Sequence, residues 1–529
     1  MRNKFFKSIG FLAVTALLLT SCTKDLNRTP FYDVTAVSVY KDLAGYKQVL
    51  AKLYAGLSTT GNSGPDGNGD ISGIDEGFSS YLRQYWQTQE LPTDEAVIGW
   101  NDATIRDFHH MTWSSSDVFL RAIYSRIYFQ ITLCNEFIRE SSAAKLAERN
   151  ITGADATEIG YFRAEARLLR ALSYYHALDL FGNVPFVTEN DPIGSFLPPQ
   201  ISRANLFNYI ESELKAIETL LKPAKTNEYA RVDAAAAWAL LAKLYLNAEV
   251  YTGSGKYTEA VTYCNKIIAI PGYSLINNYR NLFLADNNAT STSEFIFPVT
   301  FDGNKTRTWG GTTYLVHAPI VGSMSPGTHG VDFGWGGLRT TKQFVQIFGG
   351  PAGDSRMNFY TSGQNLDIND ISTATDGYGI IKFRNVTSTG GNGSNLTWVD
   401  TDYPMFRLAE IYLTYAEAVL RGGAGGDAAT ALNYFNLLRQ RAYGNNSGNI
   451  TAGQLNLQTI LNERAKELHW EATRRTDLIR YGQFTEATYL WAWKGGTING
   501  QAVGSHRKLY PIPAADLTAN PNLVQNPGY

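Results

Sequence analysis

Two stretches of this 529-residue chain concentrate flat aromatic rings beside short polar side chains. Residues 70–113 hold Asp75, Arg83, Trp86, Trp100, Asn101 and Asp102; residues 309–335 hold Trp309, Tyr314, His317, Phe333 and Trp335. Ring faces accept C–H groups, while amides, carboxylates and guanidinium groups at their edges exchange hydrogen bonds with hydroxyls. Aromatic side chains also lose few rotamers on being ordered, which limits the entropic cost of a contact. The mixture suits a neutral ligand rich in hydroxyls. Gly99 before Trp100 and Asn-Asp after it predict exposure, and the Gly-Gly pairs after Trp309 and Trp335 predict loop tips. Trp86 and Trp113 read as core; Trp491 and Trp493, in a late hairpin, are reserve candidates.

The totals point the same way. The chain has 46 basic and 48 acidic residues, a net charge of −2, so it lacks the basic footprint of a nucleic-acid binder. Charged residues make up only 18%, against 13% aromatics. The seven His do not cluster as ligands, and no CxxC, HExxH, zinc or EF-hand spacing occurs, so no metal or cofactor is assigned. A secreted glycoside hydrolase needs two carboxylates about 5–10 Å apart. Asp75, Asp94, Glu95 and Asp102 could supply them on paper, and this is the remote alternative. Cys134 and Cys264 read as buried thiols rather than a disulfide, which spacing alone cannot show.

Arg2, Lys4 and Lys7 precede an uncharged apolar run over residues 9–19, which ends in Leu19-Thr-Ser-Cys22. This is the pattern of an export signal, too short to span a bilayer. The ending looks like a bacterial lipobox, with residues 1–21 as signal peptide and Cys22 as the lipidated N-terminus. Each buried methylene of an acyl chain contributes about 0.8 kcal/mol, so several chains anchor stably.

Apolar periodicity predicts helices near 38–57, 117–180, 202–221, 232–250, 256–269, 404–421, 426–442 and 455–481. Residues 58–117 read as irregular, with a Gly-rich breaker at 61–70. The Ala-rich stretch 234–242 lets a partner helix approach closely, and the helical pairs resemble tetratricopeptide units. Residues 271–403 turn Gly-, Asn- and Thr-rich, with short strands near 294–298 and 379–384. The proline-rich tail from Leu509 reads as an extended strap, neither helix nor central strand. The fold class is mainly α: a tetratricopeptide-like scaffold of helical pairs with a variable loop-rich region carrying short strands.

Several motifs occur together and in order: Arg163-Ala-Glu-Ala-Arg-Leu-Leu-Arg-Ala-Leu-Ser-Tyr-Tyr, Leu180-Phe-Gly-Asn-Val-Pro, Pro404-Met-Phe-Arg-Leu-Ala-Glu, Leu437-Leu-Arg-Gln-Arg-Ala, Glu463-Arg-Ala-Lys-Glu-Leu-His-Trp-Glu, Arg475-Thr-Asp-Leu-Ile-Arg, and the tail from Tyr510 to Tyr529. In these the chain resembles the SusD/RagB family of Bacteroidetes outer-membrane nutrient-binding lipoproteins. The resemblance implies one SusD-like domain over 22–529, with an N-terminal part at about 22–230 and a C-terminal part at about 231–529. The variable ligand-binding insert would lie at about 271–403. It implies a binding protein rather than an enzyme, lipid-anchored to the outer membrane and facing the exterior. Such a protein would capture a neutral glucan or hemicellulose and pass it to a SusC-like TonB-dependent transporter. A peptide-binding RagB-like role is the alternative. The family permits a structural calcium, for which no ligand set is assigned. By the family pattern Trp100 with Asn101, then Trp309 or Tyr314, then Trp335 form the ligand-binding arc, and Asp75 and Arg83 hydrogen-bond sugar hydroxyls. Arg163/Arg167, Glu463/Glu467 and Arg475/Arg480 read as partly buried ion pairs between scaffold helices.

Overall fold

A computed structural model describes residues 36–65, 69–194 and 196–529. The expected signal peptide and Cys22 lie outside them. The principal helices are α1 (Leu43–Ser58), α2 (Tyr81–Glu90), α3 (Val118–Glu140), α4 (Gly153–Leu180), α5 (Arg203–Ile217), α6 (Ala234–Leu246), α7 (Tyr257–Ile268), α8 (Gly311–His317), α9 (Leu408–Leu420), α10 (Ala428–Tyr443), α11 (Leu457–Leu468) and α12 (Arg474–Arg480). Successive helices pack on one another: α3 on α4, α4 on α5, α6 on α7, α7 on α9 and α9 on α10. In α6, Ala235, Ala236, Ala237, Ala239 and Ala242 are all buried, the close approach that small side chains permit. Among the described residues no helix is long and apolar enough to cross a membrane.

Strands β1 (Val97–Ile98), β2 (Val184–Pro185), β3 (Gln200–Ile201), β4 (Phe295–Val299), β5 (Leu338–Arg339), β6 (Phe359–Tyr360), β7 (Gly379–Ile380) and β8 (Tyr403–Arg407) form antiparallel pairs. The pairings are β1–β5, β2–β3, β4–β8 and β6–β7. β8 runs directly into α9, so one ladder docks the loop-rich insert on the scaffold.

Three expectations change. Residues 58–117 are not uniformly irregular, because α2 lies within them. All ten of its residues are buried, so it shows none of the one-sided periodicity that marks a surface helix in sequence. The stretch 455–481 is two helices, not one. Trp470 and Ala472 take left-handed backbone at φ 62° and 57°, and the Trp470 indole donates to the Glu95 carbonyl at 3.2 Å. The tail is a strap in part, with Tyr510 N–H donating to Leu180 O. It also holds a short helix, Ala514–Ala519, which starts just after Pro513, where a missing N–H costs nothing.

Buried and partly buried ion pairs fix the helices. Glu467 receives Arg356 from the insert, Arg407 from β8 and Arg441 from α10. Glu463 binds Arg356 and Arg439; Arg475 binds Asp179; Arg480 binds Glu417; Arg167 binds Glu213. Arg163 departs from the expected pattern: its Nη1 donates to the Ile138 carbonyl. Cys134 and Cys264 are buried and unpaired with each other.

Candidate ligand-binding site

α2 begins at Ser80, whose hydroxyl accepts the Arg83 N–H and so caps the helix. Gly310 lies directly against that hydroxyl; a Cβ there would come within 1.7 Å of Ser80 Oγ. The contact brings the 309–310 turn onto the start of α2, and Arg83 Nη1 donates to Trp309 O at 3.0 Å and Gly77 O at 3.2 Å. From the other side, β1 pairs with β5 and Gly99 N–H donates to Gly337 O at 2.8 Å, which places Trp100 beside Trp335. The Trp100 indole donates to Trp335 O at 3.1 Å, and a Cβ on Gly337 would lie 2.4 Å from the Trp100 ring. Arg106 fixes the loop by donating to the carbonyls of Gly99 and Trp100. His317, in α8, stacks on the Trp335 ring at 4.9 Å and 22°. Its two ring nitrogens lie 2.7 Å from Phe333 O and 3.0 Å from Thr397 O.

These constraints assemble a row of half-buried indoles. Ring centroids are 6.4 Å apart from Trp100 to Trp335, 5.9 Å from Trp335 to Trp309 and 4.2 Å from Trp309 to Trp398. Asn101 and Asp102 are exposed next to Trp100; Asp75 is also exposed, with Oδ1 accepting the Gly77 N–H at 2.7 Å. Phe333 and Leu396 stand out from the same loops.

Two expected contact residues belong underneath. Tyr314 is fully buried; its ring packs on Trp86, Trp100 and Trp335, and its hydroxyl accepts from Gln87, so it supports the row and presents no face to solvent. Arg83 is 8% exposed, with its guanidinium 4.4 Å from the Tyr314 ring centre and Nη1 directed at main-chain carbonyls. It positions the rings rather than meeting a hydroxyl, and burial lowers its basicity. Trp86, Trp113 and Trp491 are core residues, and Trp493 donates to Ile368 O. Trp398 escaped sequence reasoning because no glycine flanks it. Its placement comes from the Asn395 side chain, which accepts the Trp398 N–H at 3.0 Å, and from the Asn385 side chain, which donates to Asn395 O.

Of the four carboxylates weighed for hydrolysis, only Asp75 and Asp102 are exposed. Asp94 is buried in a two-pronged pair with Arg474, and Glu95 is buried against the Trp470 N–H. Among the described residues no three His, Cys, Asp or Glu side chains gather as metal ligands.

The chain is 36% identical to the starch-binding protein SusD of Bacteroides thetaiotaomicron over the full length of both chains. It belongs to the SusD family. The SusD family profile matches residues 349–529 of this SusD family member. A SusD-like protein P2 of Formosa agariphila is 24% identical over 98% of each chain. Among solved structures, surface glycan-binding protein A from Bacteroides thetaiotaomicron, in complex with laminarihexaose, aligns with a TM-score of 0.68 at 21% identity. The alignment covers 91% of this chain and 99% of that one. The corresponding protein from Bacteroides fluxus gives 0.69 at 20% identity, covering 92% and 99%. SusD family membership makes the chain a binding protein rather than an enzyme.

Proposed function

We propose that this protein is a cell-surface glycan-binding lipoprotein that takes up a neutral glucan and delivers it to a SusC-like TonB-dependent transporter, with acyl chains on Cys22 as its anchor. The observation that carries the reading is the row Trp100–Trp335–Trp309–Trp398, four half-buried indoles backed by a buried layer of Tyr314 and Arg83. Rigid ring faces supply contact area at low entropic cost, with Asn101, Asp102 and Asp75 at hand for hydroxyls. A glucan of the starch type ranks first, because the full-length relative at 36% identity is named for starch; hemicelluloses rank next. The contact surface of the row is made of uncharged indole rings, which favours a neutral glycan over a peptide.

Affinity electrophoresis through gels containing soluble starch, xyloglucan or laminarin tests the reading. Retention is expected in the starch gel, and Trp100→Ala with Trp335→Ala reduces it sharply; each ring carries about 2 kcal/mol. Unretarded migration of the unaltered protein in all three gels would overturn the glycan reading, and undiminished retention of the double variant would overturn the site. Metabolic labelling with a fatty acid, lost in Cys22→Ala, tests the anchor.

A further inference from the structure

A cavity of about 910 Å³ lies away from the indole row. It lies between one face of α1, the turn at residues 228–231 and the segment 300–307. Its volume falls in the range of small-molecule sites, about 300–1,000 Å³. Hydroxyl and amide groups line it, among them those of Asn62, Thr300 and Asn304, together with the rings of Tyr54 and Tyr229.

Both tyrosines are held by their hydroxyls. Tyr229 donates to Asp402 Oδ2 at 2.7 Å, and Tyr54 donates to Glu165 Oε2 at 2.6 Å while accepting the Val232 N–H at 3.0 Å. Asp402 and Glu165 are buried, so each ring is tied from below. Tyr229 nonetheless remains 42% exposed, one of the few large rings on this surface to do so. The residue after it, Ala230, takes left-handed backbone at φ 62°, a conformation an alanine adopts only when its surroundings impose it. Of the cations at the cavity, Arg231 is tied to buried Glu165 and Lys47 meets Glu228 at the surface, while Lys305 is exposed, 3.8 Å from Asp302. Arg307 has no ion pair among the described residues. Two rings held from below and a wall rich in hydroxyl and amide groups match a sugar chain.

We propose that this cavity is a second glycan site, taking another segment of the polymer held by the indole row; the proposal rests on the glycan reading above. Arg307 edges the cavity and stands two residues before Trp309, so their Cα atoms are within about 7 Å. One polymer can therefore engage both sites, the second at high effective concentration, whereas a short oligosaccharide occupies one at a time.

Two variants test it. Tyr229→Ala removes the exposed ring, and Ala51→Trp plugs the cavity from an exposed position on α1. Each should weaken retention in a soluble-starch gel about tenfold and leave the calorimetric affinity for maltohexaose at the indole row unchanged. In the Trp100→Ala, Trp335→Ala protein, maltohexaose should still bind weakly, and adding Ala51→Trp should remove that binding. Starch retention unaffected by both cavity variants, or no residual binding in the double-tryptophan protein, overturns the second site while leaving the row intact. Full retention of the double-tryptophan protein overturns the row instead.

Discussion

In the scaffold, Glu467 is buried and meets three arginines, drawn from the insert, β8 and α10. At the indole row, by contrast, a single buried guanidinium, Arg83, lies beneath rings that stay half in water. The scaffold uses charge to hold helices at fixed positions and buries its central pairs. The row builds its contact surface from uncharged rings and leaves aromatic area uncovered. Burying a charge is tolerable only when its partners are all in place, so the first region cannot vary one residue at a time. Exposing a ring costs the fold little, so the second can vary with its ligand.

The largest expected effect is on the scaffold. Glu467→Ala leaves Arg356, Arg407 and Arg441 facing one another in the interior, and should cost about 3–5 kcal/mol. The urea midpoint should fall sharply, with glycan affinity unchanged in whatever protein remains folded. A midpoint within error of the unaltered protein would show that the network contributes no more than a surface pair, and the contrast between the regions would disappear.

At the row the ordering should reverse. Gly337→Ala drives a methyl group into the Trp100 ring and breaks its hydrogen bond to Trp335 O. Retention in starch gels should fall about tenfold, roughly 1.4 kcal/mol, with the melting temperature nearly unmoved. Trp398→Ala should cost less, about 1 kcal/mol, because that ring ends the row. A larger loss from Trp398→Ala than from Gly337→Ala would move the centre of the site to the Trp309–Trp398 pair.

How well the sequence displayed each region follows from the same contrast. The scaffold was legible because its helices alternate buried and outer faces and its Arg and Glu residues recur at helical spacing. α2 was not, since burial on every side erased its periodicity. Nor was the break at Trp470 and Ala472, which tertiary contacts with Glu95 impose. At the row, Trp100, Trp309 and Trp335 could be picked out because glycines make room for their rings or their turns. Tyr314 and Arg83 could not be placed, because residue type does not reveal which side of a layer a side chain occupies. Trp398 was hidden because a loop organised by Asn385 and Asn395 has no period to read.

pH gives the smallest and finest separation of the two regions. Asp477, between Arg464 and Arg480, has its carboxyl held down at about 2 despite its burial, and the arginines around Glu467 likewise lower that group. Their stabilisation is complete above the ordinary carboxylate range and is lost as pH falls through the folded values. Glu90 at the end of α2 behaves oppositely. It is buried, lies against the equally buried Glu95 and is pushed up to about 7, chiefly by burial. The folded protein therefore holds a proton there that the unfolded chain releases near 4.5, and stability falls as pH rises from about 4.5 to 7. Glu90→Gln keeps a hydrogen-bonding group without the ionisation, so its melting temperature should decline less than that of the unaltered protein between pH 5 and 7.5. Parallel profiles over that range would mean that this buried carboxyl pair is ionised throughout, and that the end of α2 is held by charge in the same manner as the scaffold.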